Sequence, residues 1–386
     1  MATTTVVSAD RSGNIGIDYG ADNETWIVKS GVYVWGTLIG ASSIYTNNTL
    51  KNNGHITGNS CGVDFVGESH VINKVNGIIE GLDFGIFFDA TVTEASLINH
   101  GTIAAASWGV YFAVATDGNN FLNNTGTIIG VTNGVWIASI HDGGTIVNSG
   151  LIRSGPPSPG AAGIFIDTVD TETTIITNAA TGVIKGPLAI FADKGHFALT
   201  NLGKLIGGIS DTAGLSDTVI NAGKILGAVH LGGGRDRFNG NGGVSGAVFG
   251  EAGNDRLIGG PNADKLHGGD DVDKLTGNAG PDRFFFDTAG ALTSFDTITD
   301  FNHAQGDKIV LSATEFVGIG APGPLALGHF RAHPNAVTPN QHILYNPTNG
   351  FLFYDQDGSG STYTPIHFAT LSTHPALAST DFVVIA

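Results

Sequence analysis

The chain has 386 residues, of which 58 are glycine, about twice the usual share, and only 13% are charged. Seventeen basic residues against 34 acidic ones leave a formal charge of −17, which disfavours polyanionic partners such as nucleic acid and favours cations. A single cysteine, Cys61, excludes an intramolecular disulfide framework, and no apolar stretch approaches the ~18 residues of a membrane-spanning helix.

The first residues, MATTTVVSADRSGNIG, contain no basic region followed by an apolar run, so they do not read as an ordinary cleavable export signal. Up to about residue 230 the chain repeats itself in units such as TLKNNGHITGNSCGVDF, SLINHGTIAAASWGVYF and FLNNTGTIIGVTNGVWI. Gly54, Gly77, Gly101, Gly126, Gly150, Gly182, Gly203 and Gly223 hold equivalent places, mostly 20 to 25 residues apart. One step of 32 residues contains the insertion PPSPGAAG.

Each unit has two short runs rich in Val, Ile and aromatics, broken by Gly and Asn. It is too short to fold alone and must bury its apolar face by stacking. This predicts a right-handed parallel β-helix over residues 1–230; helical repeats would need a 3.6-residue period, and Gly and Thr dominate instead. Asn52, Asn99, Asn124, Asn148, Asn201 and Asn221 recur two places before the glycine. They read as a stacked amide ladder at a turn, with a ligand-binding row as the alternative. Glu68, Asp89, Asp117, Asp142, Asp167 and Asp193 follow the second strand. They read as solvated turn residues, with an acidic stripe for cations or sugars as the alternative.

Beyond residue 230 the period shortens. Asp255, Asp264, Asp273 and Asp282 are nine apart, and Leu257, Leu266, Leu275 and Phe284 follow two places after each. The unit is G-G-x-G-x-D-x-U-x, where U is large and apolar. Six residues form a turn in which glycine permits positive φ and exposes carbonyl oxygens; three form a short strand with U inward. Two units per coil stack Asp255 with Asp273, and Asp264 with Asp282. Asp236, nineteen residues before Asp255, is placed to extend the first column.

A Ca²⁺ ion wants six to eight oxygens and finds carbonyls and carboxylates between stacked turns. The candidate metal-site residues are Gly232, Gly234 and Asp236, then Gly250, Gly253 and Asp255, then Gly259, Gly260, Asn262 and Asp264. The next turns add Gly268, Gly269, Asp271 and Asp273, then Gly277, Gly280 and Asp282. About three ions follow from this count. Asn262 and Asp271 replace a glycine and tolerate left-handed geometry; Glu251 and Asn278 replace the second glycine. GNGGVSGAVFG lacks an aspartate, so no site is expected there.

This stretch resembles the RTX, or haemolysin-type calcium-binding, repeats of proteins that Gram-negative bacteria export through type I systems. The resemblance covers roughly 231–290 and implies a parallel β-roll over 231–284. The first part of residues 285–386 contains SFDTITDF and GDKIVLS, similar to the segment that follows the repeats in serralysin-type and other RTX proteins. Asp296, Asp300 and Asp307 match it and join the candidate calcium ligands. From the residues alone, SFDTITDF alternates as a strand that would cover the open sheet edge of the roll. HILYNP, FLFYD and PIHFATL then read as a meander, with Asn349–Gly350 as a hairpin signal. Asp355 and Asp357 in DQDGSGS resemble half of a calcium loop, but the bidentate glutamate that completes an EF-hand is missing, so they read as a plain hairpin turn. The final DFVVIA resembles the uncleaved C-terminal signal of type I export, and read alone it is a terminal edge strand.

The metalloprotease H-E-x-x-H, the G-x-S-x-G elbow and phosphate-binding glycine patterns are absent from the sequence. A β-helix followed by RTX repeats is similar to the alginate C5-epimerases, whose acidic DPHE-type cluster this sequence lacks. Cations are few before residue 230 and not clustered in the sequence. His55 and the pair His141–Asp142 are the nearest approach to catalytic groups. The expectation is therefore an all-β, rod-like, secreted calcium-binding protein: a β-helix running into an RTX β-roll, with a capping and export domain over 285–386. Its partners would be calcium, the type I machinery and an extracellular polysaccharide or cell surface. The alternative is a polysaccharide lyase or epimerase built on the β-helix.

Overall fold

The computed structural model describes residues 2–89, 94–113, 120–138, 144–156, 160–168, 172–240 and 242–386. It is all-β, 53% strand and 4% helical, and its chain forms two compact units.

The first unit comprises residues 1–213 with 223–227. Its strands form three parallel stacks, one strand of each coil to a stack. In the first stack Asn48–Asn52 lies on Ser69–Asn73, then Ala95–Asn99 and Phe121–Asn124. The second stack runs through His55–Gly58, Ile78–Gly81, Thr102–Ala105 and Thr127–Gly130. The third runs through Cys61–Phe65, Phe84–Phe88, Trp108–Phe112 and Asn133–Ile137. Alternate residues point inward, so Leu97, Ile103, Val110 and Phe112 bury in one coil and their equivalents bury in the next. Each such side chain contributes about 1.5–3 kcal/mol on leaving water.

The asparagines form the ladder the sequence suggests. Asn52, Asn99, Asn124, Asn148 and Asn201 are fully buried, and the row also takes in Asn73 and Asn178, four places before their glycines. Each Nδ2 donates to the next Oδ1: Asn52 to Asn73 at 2.9 Å, Asn73 to Asn99 at 2.9 Å and Asn99 to Asn124 at 2.8 Å. The row continues through Asn148 and Asn178 to Asn201 at 2.8–2.9 Å. Asn221 falls in the second unit and donates to the Val244 carbonyl at 3.1 Å. The glycine after the ladder is set by close approach. A methyl at Gly126 would overlap the Gly101 carbonyl, and one at Gly150 that of Gly126.

Outside the third stack, Phe87, Tyr111, Trp136, Phe165 and Phe191 share one register row. Their ring centroids are 4.7–5.3 Å apart, so each ring face is spent on the next ring.

The second unit comprises residues 214–222 and 228–386. Here the coil has two short strands. One parallel stack contains Thr218–Asn221, Arg237–Asn239, Arg256–Ile258, Lys274–Thr276 and Asp296–Ile298. The other contains Val229–His230, Val248–Ala252, Lys265–Asp270, Arg283–Phe286 and Lys308–Ser312. Phe238, Leu257, Leu275 and Ile298 bury from the first stack, and Val248, Leu266, Phe284 and Ile309 from the second.

The meander read from the sequence forms. Ile343–Asn346 pairs antiparallel with Phe351–Tyr354, which pairs antiparallel with Ile366–Leu371. Gly350 takes φ 75° at the turn. Ile366–Leu371 adds in parallel to Asp296–Ile298. Phe382–Ile385, in the DFVVIA tail, lies between Lys308–Ser312 and Gly323–Pro324, so it is an interior strand of its sheet, not an edge.

Candidate metal centre

The aspartates of the short-period region form two columns. In the first, the Asp236 amide donates to Asp255 Oδ1 at 2.7 Å, Asp255 to Asp273 at 2.8 Å and Asp273 to Asp296 at 3.0 Å. In the second, the Asp264 amide donates to Asp282 Oδ1 at 2.8 Å and Asp282 to Asp307 at 3.0 Å. Stacking at eighteen residues thus brings together the pairs read from the sequence, with Asp236 joined to the first column. Asp217 extends that column by one more coil, its amide donating to Asp236 Oδ1 at 2.5 Å. It was missed for want of flanking glycines, yet it lies nineteen residues before Asp236 in the same D-x-U frame.

In Asp255, Asp273 and Asp282 one carboxylate oxygen holds the neighbouring coil, and the other does not. Oδ2 of Asp255, Asp273 and Asp282 is buried without a hydrogen-bond partner, and these residues are at most 3% exposed. Burial pushes the carboxyls up: Asp255, Asp282 and Asp296 to about 7, and Asp273, which also faces Asp296, to about 8. Burial raises Asp264 and Asp307 as well. Such a column wants a cation.

The turns explain where further oxygens come from. The first glycine of each unit lies beneath its own aspartate: a methyl at Gly250, Gly259, Gly268 or Gly277 would overlap Oδ2 of Asp255, Asp264, Asp273 or Asp282. At Gly250 the same methyl would meet the Gly268 carbonyl oxygen of the next coil, and at Gly259 that of Gly277. Carboxylate and carbonyl from adjacent coils thus converge. Among the described residues no three His, Cys, Asp or Glu side chains could hold a metal together, so a six-to-eight-oxygen shell would draw on backbone carbonyls and water beside the carboxylates. The donor set is all oxygen, which suits a hard cation.

Positive φ turns those carbonyls. Gly232 and Gly234 take 81° and 124°, Glu251 and Gly253 take 75° and 120°, Gly269 and Asp271 take 116° and 74°, and Asn278 and Gly280 take 67° and 115°. Glu251, Asp271 and Asn278 thus hold left-handed positions that favour glycine, a local strain of about 1–3 kcal/mol each. The turn at 259–264 departs from the others. Neither Gly260 nor Asn262 is left-handed, and Pro261 stands between them. In compensation the Gly260 amide donates to Asp264 Oδ2 at 2.6 Å, so this carboxylate closes its own turn.

Beyond the repeats, Asp296 and Asp307 cap the two columns, and Asp307 Oδ2 also accepts from the Asn302 amide at 2.9 Å. Asp300 accepts from the amides of Gly277 and Asn278 at 2.9 and 2.7 Å, so both its oxygens anchor the last turn. Asp357 Oδ2 accepts from the Thr362 amide at 2.8 Å, closing the loop between the second and third strands of the meander.

The other candidates separate. His55 Nε2 lies 2.8 Å from Glu80, while His141, Asp142 and Asp117 fall outside the described residues. Asp167 pairs with Lys194 at 2.9 Å and Glu68 lies 3.9 Å from His70, as solvated turn residues would.

No curated protein and no solved structure matches the chain. Residues 249–284 match the family model of the RTX calcium-binding nonapeptide repeat, in four copies. The chain is an all-β solenoid whose second unit carries RTX calcium-binding repeats, and Ca²⁺ is the ion those repeats imply.

Proposed function

We propose that this is a secreted protein whose β-roll, residues 231–284, folds when calcium enters the aspartate columns outside the cell. The observation that carries this reading is the buried, unpartnered Oδ2 on Asp255, Asp273 and Asp282. Asp236, Asp264, Asp296 and the Gly250, Gly259, Gly268 and Gly277 turns would complete the shells, and the ion would supply the positive charge the columns lack. In a cytosol poor in calcium those carboxylates would repel one another and hold the roll open. Millimolar calcium outside would close it, so binding free energy becomes folding free energy.

In this reading residues 285–386 cap the roll and carry the type I export address, and the β-helix of residues 1–230 presents a surface for structural or adhesive contact with extracellular glycan. Supporting it are the oxygen-only donor set, the net charge of −17 and the association of such repeats with secretion. Native mass spectrometry with equilibrium dialysis tests the first half: about three ions retained at millimolar calcium are expected, and none retained would overturn it.

A further inference from the structure

Cations are few in the first unit, and the sequence scatters them. The fold collects four on the outer face of the second stack. Arg153 sits beside Lys185 in register, and Lys204 sits beside Lys224 two coils on. Their first- and third-position side chains flank the buried Ile152, Ile184, Leu205 and Ile225. Among the described residues no carboxylate pairs with any of the four; the one lysine–carboxylate pair among them, Lys194 with Asp167, lies elsewhere.

At the corner where this stack turns into the third, Arg153 and Lys185 line a cleft of about 380 Å³ with Ser154, Pro156, Gly186 and Pro187. Ser154 is 3% exposed, and its Oγ is buried with no hydrogen-bond partner. A methyl at Gly186 would overlap the Leu188 carbonyl, Ser154 Oγ and the Gly163 amide, so the chain packs tightly behind the cleft. The corner also receives the start of the PPSPGAAG insertion. The equivalent corner three coils earlier carries Glu80 instead of a cation.

We propose that this corner binds an oxyanion, a carboxylate or a sulfate, borne on a glycan chain that continues along the stack to Lys204 and Lys224. Two cations side by side supply charge-assisted hydrogen bonds. The proline rings offer flat apolar walls. Cations recurring on successive coils, about 4.8 Å apart, suit a polymer with repeated anionic groups. The four cations supply local positive charge against a chain whose net charge is −17, and nucleic acid fits less well because among the described residues no aromatic ring lies between the cations for bases to stack on. The inference deepens the surface-contact reading above and rests on it.

Full-length protein in calcium would be titrated with dextran sulfate, carboxymethyl dextran and unmodified dextran, which share one backbone, and with single-stranded DNA. Salt-sensitive binding to a charged dextran and not to unmodified dextran is expected. Which charged dextran binds tighter separates sulfate from carboxylate, and competition by inorganic sulfate separates a free anion from the polymer. Arg153→Ala with Lys185→Ala should weaken binding about tenfold or more, and Lys194→Ala not at all. Because Lys185 is exposed, Lys185→Glu alone gives a well-folded check. Charged dextran bound equally by wild type and variants would overturn the site and leave the surface-contact reading standing. No binding to any dextran would overturn both, and tighter binding of DNA would overturn the glycan assignment.

Discussion

The two units solve one problem with different chemistry. In each, a polar side chain from one coil reaches its equivalent or its amide in the next. The first unit uses asparagine, which carries both donor and acceptor, so the row from Asn52 to Asn201 satisfies itself. The second uses aspartate, which when ionised only accepts. Oδ1 finds a backbone amide, and Oδ2 of Asp255, Asp273 and Asp282 finds nothing. An amide column is self-sufficient, while a carboxylate column is complete only with a cation. The same architecture thus yields one part that needs no ion and one that does.

The comparison can be broken most severely by chelation. At pH 8, removing calcium should unfold the roll and spare the amide-laddered coils. With ~10⁻⁴ M sites at ~10⁻³ M calcium each ion contributes about 1.4 kcal/mol, about 4 for three. Hydrogen exchange read by region would show protection lost over 249–284 and kept over 48–201; loss in both would break the contrast.

Acid should do the opposite to the metal-free roll. Its buried carboxyls sit near 7 to 8, above the unfolded value near 4. In that window the folded state binds more protons, so stability is fully present below about pH 4 and is lost as pH rises through 7 to 8. Circular dichroism of the chelated protein should therefore show more β signal at pH 4.5 than at pH 8. A flat profile would mean the columns are not buried as described.

Exchanging the two chemistries sharpens the point. Asn124→Asp puts an uncompensated charge into the amide row and should cost about 3 kcal/mol, with no rescue by calcium, as thermal melts would show. Asp273→Asn should remove roughly one ion, about 1.4 kcal/mol in calcium. In chelator at pH 8 the same change should stabilise the roll. Equal effects with and without calcium would deny the column its role.

Much of this was legible in the sequence because the spacing carries the register. Nine-residue steps put Asp255 on Asp273 and Asp264 on Asp282 before any coordinates. Asn73 and Asn178 escaped notice because their turns are two residues longer, which moves the glycine and hides the alignment. Asp217 lacked glycines to announce it. The left-handed Asn262 expected from its residue type does not form, and the Gly260 amide closes that turn on Asp264 Oδ2 instead. Arg153 and Lys185 are thirty-two residues apart across the irregular coil, so only the stacked strands reveal them as neighbours.

The amide row has one further consequence. Every rung donates upward in the same sense, from Asn52 towards Asn201, so the row has a direction and every interior rung is interchangeable with its neighbours. Adding or deleting a whole coil would leave each amide with the same two partners, whereas a shift of part of a coil would leave one donor and one acceptor stranded in the core. Length in this unit is therefore counted in integers: the protein can be lengthened or shortened by gene duplication in whole rungs without redesigning its interior.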